Sequence, residues 1–326
     1  MTWKAMETVD VLVLGSTGRV GRLLRGALAG SEALSAGLLP PDAGPRAPRL
    51  LWQCRRGADG PDSLKWHPGR PLPEGLRARA VLALWGVTSG PQVALAQNAA
   101  LARAALHLAR RVGAERVIHL SSGAVQAGLT GAPAREDAPL APLGPYGAAK
   151  VEMEQAIRDW HARQGTCAPG PEEGPARADT APPSEPRSLI LRLGNVAGAD
   201  SLARALAQPG PVTLDRFGED PGGAEGEGPR RSYLGIEDLA RCLAALLRLP
   251  AAALPPVLNL AGPTPVAMAE IARAAGREVL WRPAPTRALP LLSLDTTRLD
   301  RLTGPLPDSA DAAALLAQWH RAEGGR

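Results

Sequence analysis

The start of the chain leaves few folds open to it. "VDVLVLG" (9–15) is a short, largely apolar run ending in glycine, and it reads as a buried strand. It turns through Gly15-Ser16-Thr17-Gly18-Arg19-Val20-Gly21 into "RVGRLLRGALAG", whose apolar residues recur at helical spacing. A strand that passes through GxxGxxG into a helix is the front of a βαβ unit. The glycines let a pyrophosphate approach the backbone, and the first helical turn offers unpaired N–H groups and a favourable dipole. We therefore expect Gly15, Thr17, Gly18, Arg19, Val20 and Gly21 to hold a dinucleotide.

The rest of the chain keeps the same rhythm. Strands are expected in "RLLWQC" (49–54), "AVLALWGV" (80–87), "RVIHLSS" (116–122) and "SLILRLG" (188–194). Between them lie a long Ala-rich helix over 92–113, closed by Gly113, and a helix over 145–164 with Pro145 in its first turn. Further helices are expected over 233–249, 265–276 and 310–325, with a short strand in "PVLNLAG" (256–262). Strands alternating with helices predict an α/β, Rossmann-type, doubly wound parallel sheet, with the site along the carboxyl edge of the strands. The Pro/Gly/Glu-rich stretches 165–187 and 218–229 lack periodicity and read as loops, the first of them mobile.

Composition removes several function classes. Lys+Arg number 37 against 32 Asp+Glu, and no Lys/Arg block is interleaved with aromatics, so no nucleic-acid partner is expected. Cys54, Cys167 and Cys242 are far apart, and the five histidines show no HxxxH or HExxH grouping, so neither a disulfide framework nor a metal site is expected. No apolar run reaches 18 residues and no signal pattern opens the chain. The expectation is a soluble cytoplasmic protein without a membrane partner, compatible with a homodimer.

Two clusters point to chemistry. Dinucleotide sites for NAD place an acidic residue after the second strand to hold the ribose hydroxyls. Here Arg55 and Arg56 stand there, with Arg19 in the glycine turn. That set favours the 2′-phosphate of NADP over NAD, while Asp59 stays open as a ribose ligand. The second cluster is "GPYGAAK" (144–150). Tyr146 and Lys150 are four apart on a helix and share a face. A phenol with a pKa of about 10 is a poor base at neutral pH unless a neighbouring ammonium stabilises the phenolate. Ser122, at the end of "HLSS", supplies a hydroxyl to orient a substrate oxygen.

With these residues in place the chain resembles the extended short-chain dehydrogenases/reductases, in the NAD-dependent epimerase/dehydratase group. The glycine loop, Asn98, the Ser122/Tyr146/Lys150 set, "LRLGNVAG", "RRSYLGIEDLA" and "VLNLAGPTPVAMAEIA" match that group in order and spacing over nearly the whole chain. The resemblance implies Tyr146 as acid/base, Lys150 as nicotinamide-ribose ligand and tuner, and Ser122 as orienter of the reacting hydroxyl. It places Trp85 and Asn98 beside the cofactor, Asn195 and Arg231 at sugar-nucleotide contacts, and Tyr233 as a structural neighbour. Residues 1–198 would form the NAD(P)-binding domain, with 231–250 returning to it, and 199–326 mainly the substrate-binding domain. The implied function is an NAD(P)-dependent oxidoreductase or epimerase acting on a nucleotide-linked sugar. The alternative is a non-catalytic NADP-binding sensor or scaffold on the same fold. The chain departs from the group at Trp85-Gly86, where "AA" is usual, at "VQAG" for "VYG", and at Gly235 for a histidine. Gly123-Ala124 follow Ser122 where the dehydratase branch carries Asp-Glu, so a dehydratase is the less expected outcome.

Overall fold

The first strand is apolar towards both sides. In the computed structural model, which describes residues 8–39, 43–44, 46–56, 62–164, 185–217 and 228–324, Val11 and Val13 join one buried cluster and Leu12 and Leu14 another. A strand buried twice requires a sheet covered on both faces. The first half of the chain supplies β1 (Thr8–Leu14), α1 (Arg19–Ala29), α2 (Glu32–Gly37), β2 (Leu50–Cys54), β3 (Ser63–Lys65) and β4 (Arg77–Ala83). It continues with α3 (Gln92–Leu95), α4 (Gln97–Val112), β5 (Arg116–Ser122), α5 (Pro145–Gln164) and β6 (Arg187–Leu193). The second half adds β7 (Asn195–Val196), α6 (Ser201–Leu206), β8 (Val212–Arg216), β9 (Arg230–Leu234), α7 (Ile236–Arg248) and β10 (Val257–Leu260). Then follow β11 (Pro265–Ala267), α8 (Met268–Ala274), β12 (Val279–Pro283), β13 (Leu291–Leu292), α9 (Thr297–Thr303) and α10 (Ala312–Gly324).

Seven strands form one parallel sheet in the order β10-β6-β5-β4-β1-β2-β3. On one face α1 buries Leu23, Leu24, Ala27 and Leu28, and α7 buries Leu239, Leu243 and Leu246. Each leucine so covered contributes about 1.5–3 kcal/mol. On the other face α4 presents Ala102, Ala105, Leu106 and Ala109, and α5 presents Met153, Ile157 and Trp160. The two helices meet through large side chains: His107 of α4 packs edge-on against Trp160 of α5, with ring centroids 4.5 Å apart. Strand order reverses between β1 and β4. The loops leaving their carboxyl ends therefore part, and a crevice opens at that point.

The second half returns α7 and β10 to this sheet and builds a smaller unit beside it. There β11-β9-β13 and β7 pair around β9, and β8 pairs with β12. Its core joins Val212, Leu214, Tyr233, Val266, Ile271 and Leu315.

Several sequence boundaries shift, each for a local reason. The helix expected over 92–113 is divided at Ala96, where the Asn98 amide takes the Leu95 carbonyl at 2.8 Å. The strand expected at 80–87 runs earlier, because parallel pairing with β1 starts at Thr8↔Arg77 and ends at Leu14↔Ala83, leaving Trp85 and Gly86 beyond the sheet. Tyr233 and Leu234, expected to open a helix, are strand residues paired with Asn195 and Val196. Pro265–Ala267, likewise expected as helix, pairs with β9. The loop expectations at 165–187 and 218–229 fall mostly outside the described residues, as does Asp59.

Candidate active site

The glycine turn is built against its neighbours. Gly15 has φ +85°, and a Cβ there would stand 2.7 Å from the Trp85 backbone. A Cβ on Gly21 would stand 2.4 Å from the Gly15 carbonyl oxygen. Only glycine closes this turn. It is fastened from β2 by a residue the sequence reading passed over, Gln53, which is buried. The Gly15 N–H donates to Gln53 Oε1 at 2.9 Å, and the Ser16 hydroxyl donates to the Gln53 carbonyl at 2.7 Å. The Gln53 amide in turn donates to the Trp66 carbonyl. Helix α1 then starts at Gly18 with no side-chain cap and no acidic residue in its first turn. Thr17 and Gly18 are exposed, and Arg19 and Val20 are half-buried.

Beyond β4, Trp85 stacks on Trp66 with ring centroids 6.1 Å apart. Its buried indole N–H has no acceptor among the described residues. Gly86 is the departure that the packing explains. A Cβ there would lie 2.9 Å from Asn98 Oδ1 and 3.3 Å from Lys150 Nζ. Asn98 fixes this loop by accepting from the Val87 N–H at 3.1 Å and donating to the Val87 carbonyl at 2.9 Å.

Strand β5 delivers three consecutive residues to α5. The Ser122 side chain stands close enough to the Tyr146 phenol to lower its pKa. The Leu120 carbonyl accepts from Lys150 Nζ at 2.8 Å. The Ser121 hydroxyl donates to Glu154 Oε1 at 2.7 Å. Lys150 Nζ lies 6.0 Å from the Tyr146 ring centroid. Burial pulls the Lys150 ammonium down to about 8, partly opposed by Glu154, so it stays charged at neutral pH. Burial pushes the Tyr146 phenol above its ordinary value, while Ser122 and then Arg19 pull it back. With these residues alone, then, Tyr146 rests protonated at neutral pH, and the expected lowering by Lys150 does not prevail.

Arg19 does not join Arg55 and Arg56. Its guanidinium donates to the Asp200 carbonyl and to the Thr88 hydroxyl, both at 3.3 Å. It therefore faces the β4 side of the turn, away from β2. Arg55 and Arg56 are exposed just past β2.

The second half contributes a knot around Asp200, a residue absent from the sequence reading. Tyr233 donates its hydroxyl to Asp200 Oδ2 at 2.7 Å, and Asn195 Nδ2 donates to the same oxygen at 3.2 Å. Asp200 Oδ1 caps α6 through the Ala203 N–H. The signal was present: an aspartate directly before "SLARAL" is an N-cap pattern. Arg231 donates to the carbonyls of Arg230 (2.8 Å), Leu289 (2.7 Å) and Pro290 (3.2 Å). Burial holds its pKa below the ordinary value, against the attraction of Tyr233 and Asp200. Gly235, a further departure, leaves room for Gln318 from α10, whose Oε1 caps α7 through the N–H groups of Glu237 and Asp238.

Comparison with known proteins adds a family and a fold. The profile of the NAD dependent epimerase/dehydratase family matches residues 78–261. A UDP-glucose 4-epimerase of Azospirillum brasilense is 38% identical over 102 residues, which is 31% of this chain. That match spans only 23% of the relative's own length. Among solved structures, an NAD-dependent NDP-hexosamine 5,6-dehydratase of tunicamycin biosynthesis superposes with a TM-score of 0.64 at 21% identity, covering 97% of this chain and 98% of its own. The UDP-glucuronic acid 4-epimerase of Bacillus cereus, solved with UDP-glucuronic acid and NAD, gives 0.68 at 17% identity, covering 97% and 99%. At such identities these two structures speak to the fold.

Proposed function

The chain belongs to the NAD dependent epimerase/dehydratase family, and from that premise we propose that it transfers hydride between a nicotinamide cofactor and a carbinol carbon of a nucleotide-linked sugar, with Tyr146 moving the hydroxyl proton. The observation that carries this reading is the convergence of Ser122, Tyr146 and Lys150 at the carboxyl end of β5, beside the loop that Gly86 brings against Lys150. A non-catalytic sensor on the same fold has no use for that set.

The chain's own residues fit the cofactor. The glycine turn has no room for a side chain at Gly15 or Gly21. The uncapped start of α1 leaves N–H groups free for a pyrophosphate. The Trp85 backbone packs against Gly15, and its buried indole N–H has no acceptor among the described residues. Thr17, Gly18, Arg19 and Val20 would hold the phosphates, and Asn98 and Trp85 would shape the far wall. When bound, the nicotinamide supplies hydride in one redox state and a positive charge in the other. The protein manages the proton. Tyr146 holds it on its phenolic oxygen, ready to give it to a carbonyl under reduction, and Ser122 aligns the substrate oxygen. Lys150, charged at neutral pH, stabilises the phenolate that forms.

Substrate recognition is assigned to residues 199–326 with the 131–133 loop. A cavity of about 320 Å³ there is lined by Pro133, Arg230, Pro265, Pro290 and Leu291 among others. Neighbouring Arg231, bonded to carbonyls, keeps its charge for a diphosphate. An oxidoreductase or epimerase is favoured over a dehydratase, because Gly123 follows Ser122 and a Cβ there would meet Leu294 at 3.2 Å. An acidic side chain there would require Leu294 to give way. Arg55 and Arg56 favour NADP(H) over NAD(H).

The test is to identify the cofactor that co-purifies, then to screen UDP- and dTDP-linked sugars for exchange of deuteride with added cofactor. Exchange at one sugar carbon supports the reading. Its absence over the whole panel, with cofactor bound, overturns it.

A further inference from the structure

One turn beyond Lys150, Glu154 is wholly buried and makes more polar contacts than any residue of the catalytic set. Arg192 Nε donates to Oε1 at 3.0 Å and Arg192 Nη2 to Oε2 at 2.9 Å, a two-pronged pair with 3% exposure on the arginine. The Ser121 hydroxyl donates to Oε1, and Arg158 reaches Oε2 at 3.4 Å from the partly exposed rim of the helix. The remaining Arg192 nitrogen, Nη1, donates to the Glu136 carbonyl at 3.0 Å. Ser121 and Arg192 are direct neighbours in the β5–β6 register, so Glu154 clasps two strands at one level.

A buried ion pair is a poor source of stability compared with well-packed apolar residues. Its geometry here suggests another use. Leu120, Ser121 and Ser122 meet Lys150, Glu154 and Tyr146 of α5 respectively, so the three contacts together fix how that helix sits on β5. Among the described residues, the Glu154 rung is carried on by hydrogen bonds to a third element, β6. Resting on the catalytic reading above, we propose that Glu154, held by Arg192 and Ser121, is a positioning residue that sets the seat of Lys150 and the spacing of Tyr146 from Ser122. The charges around Lys150 agree. His119 from β5 is neutral, its pKa driven to about 3 by burial and then by the nearby His161 and Lys150. Glu154 is the anion that supports the Lys150 charge. Arg192 from β6 and Arg158 from the rim balance Glu154, and the remaining neighbours, Asn98 and Tyr146, are uncharged at neutral pH.

The chain contains three lysines, Lys4, Lys65 and Lys150, so ¹³C-lysine labelling gives three titrating Cε signals, two of them internal references. Glu154→Gln/Arg192→Gln removes the pair without stranding either charge. In this variant, folded by circular dichroism, the Lys150 midpoint should fall by about one unit, and kcat should drop about tenfold or more with KM within about threefold. An unchanged Lys150 midpoint with unchanged kcat overturns the proposal. Should the double variant not fold, Glu154→Asp keeps the charge but shortens the arm by one methylene. A retained midpoint with kcat down about tenfold then supports the proposal, and an undiminished kcat overturns it. The titration needs no substrate, so it answers even where no sugar is turned over, and that outcome counts against the catalytic reading alone.

Discussion

The two ends of the crevice are made differently. At one end, Ser122, Tyr146 and Lys150 lie between β5 and α5, and their supporting groups are almost entirely buried: Lys150 at 3% exposure, Glu154 at 0%. At the other end, Arg55 and Arg56 stand exposed on the loop after β2. The glycine turn joins them, fastened by Gln53 from below. Proton chemistry needs atoms held to a fraction of an ångström, and a strand and a helix packed along their length supply that. Under the proposed reading, recognition of a ribose or a phosphate at the Arg55 end tolerates a loop. One end is thus fixed by packing and the other by surface charge.

The sharpest break strikes both ends at once. In Gly21→Ala the new methyl would meet the Gly15 carbonyl and force the turn open. Cofactor affinity should fall by about 100-fold or more, roughly 3 kcal/mol by calorimetry. The next break is confined to the buried end. His119 is kept neutral down to about 3, whereas the unfolded chain protonates near 6.5. The unfolded state therefore binds the extra proton between those values, and stability present above about 6.5 is lost as pH falls. The slope from this one group is about 1.4 kcal/mol per pH unit. Urea titrations of wild type and His119→Gln should differ in slope by about a quarter of a proton at pH 7, rising to about one proton at pH 5.

Gln53→Leu should weaken the join between the ends. It removes the acceptor for Gly15 N–H and the donor to Trp66 at a buried position, a cost of about 1–3 kcal/mol in stability, read as a lower Tm. The smallest effect belongs to the exposed end. Arg55→Ala should weaken NADP(H) about tenfold and leave NAD(H) within about twofold. Equal affinities of the wild type for both cofactors would mean that these arginines are solvated.

The same contrast explains what the sequence made legible. Strand β5 and helix α5 carry the limits read for them, 116–122 and 145–164, because a buried apolar run and a Pro-started helix leave local marks. The same holds for the glycine turn and for the i, i+4 pair. Gln53 and Gln318 could not be picked out as readily. Each acts through a side chain that meets a backbone group brought close only by the fold, 38 residues away for Gln53 and 81 for Gln318. Asp200 carries a local N-cap mark, but its meeting with Tyr233, 33 residues on, comes only with the fold. The short strands β3, β8, β12 and β13 were missed because two to five residues hold no periodicity to detect. Arg19, expected to stand with Arg55 and Arg56, leans instead towards Asp200 and Thr88. Sequence distance alone does not say which neighbouring strand a long side chain will lean towards.

Tyr146→Phe puts the central claim to its most direct test, because it removes the phenolic oxygen and keeps the ring packing. With a sugar substrate identified, turnover should fall by about 10²–10⁴-fold while cofactor affinity stays within about threefold of wild type. A variant that keeps more than about a tenth of wild-type turnover would show that the proton travels by another route.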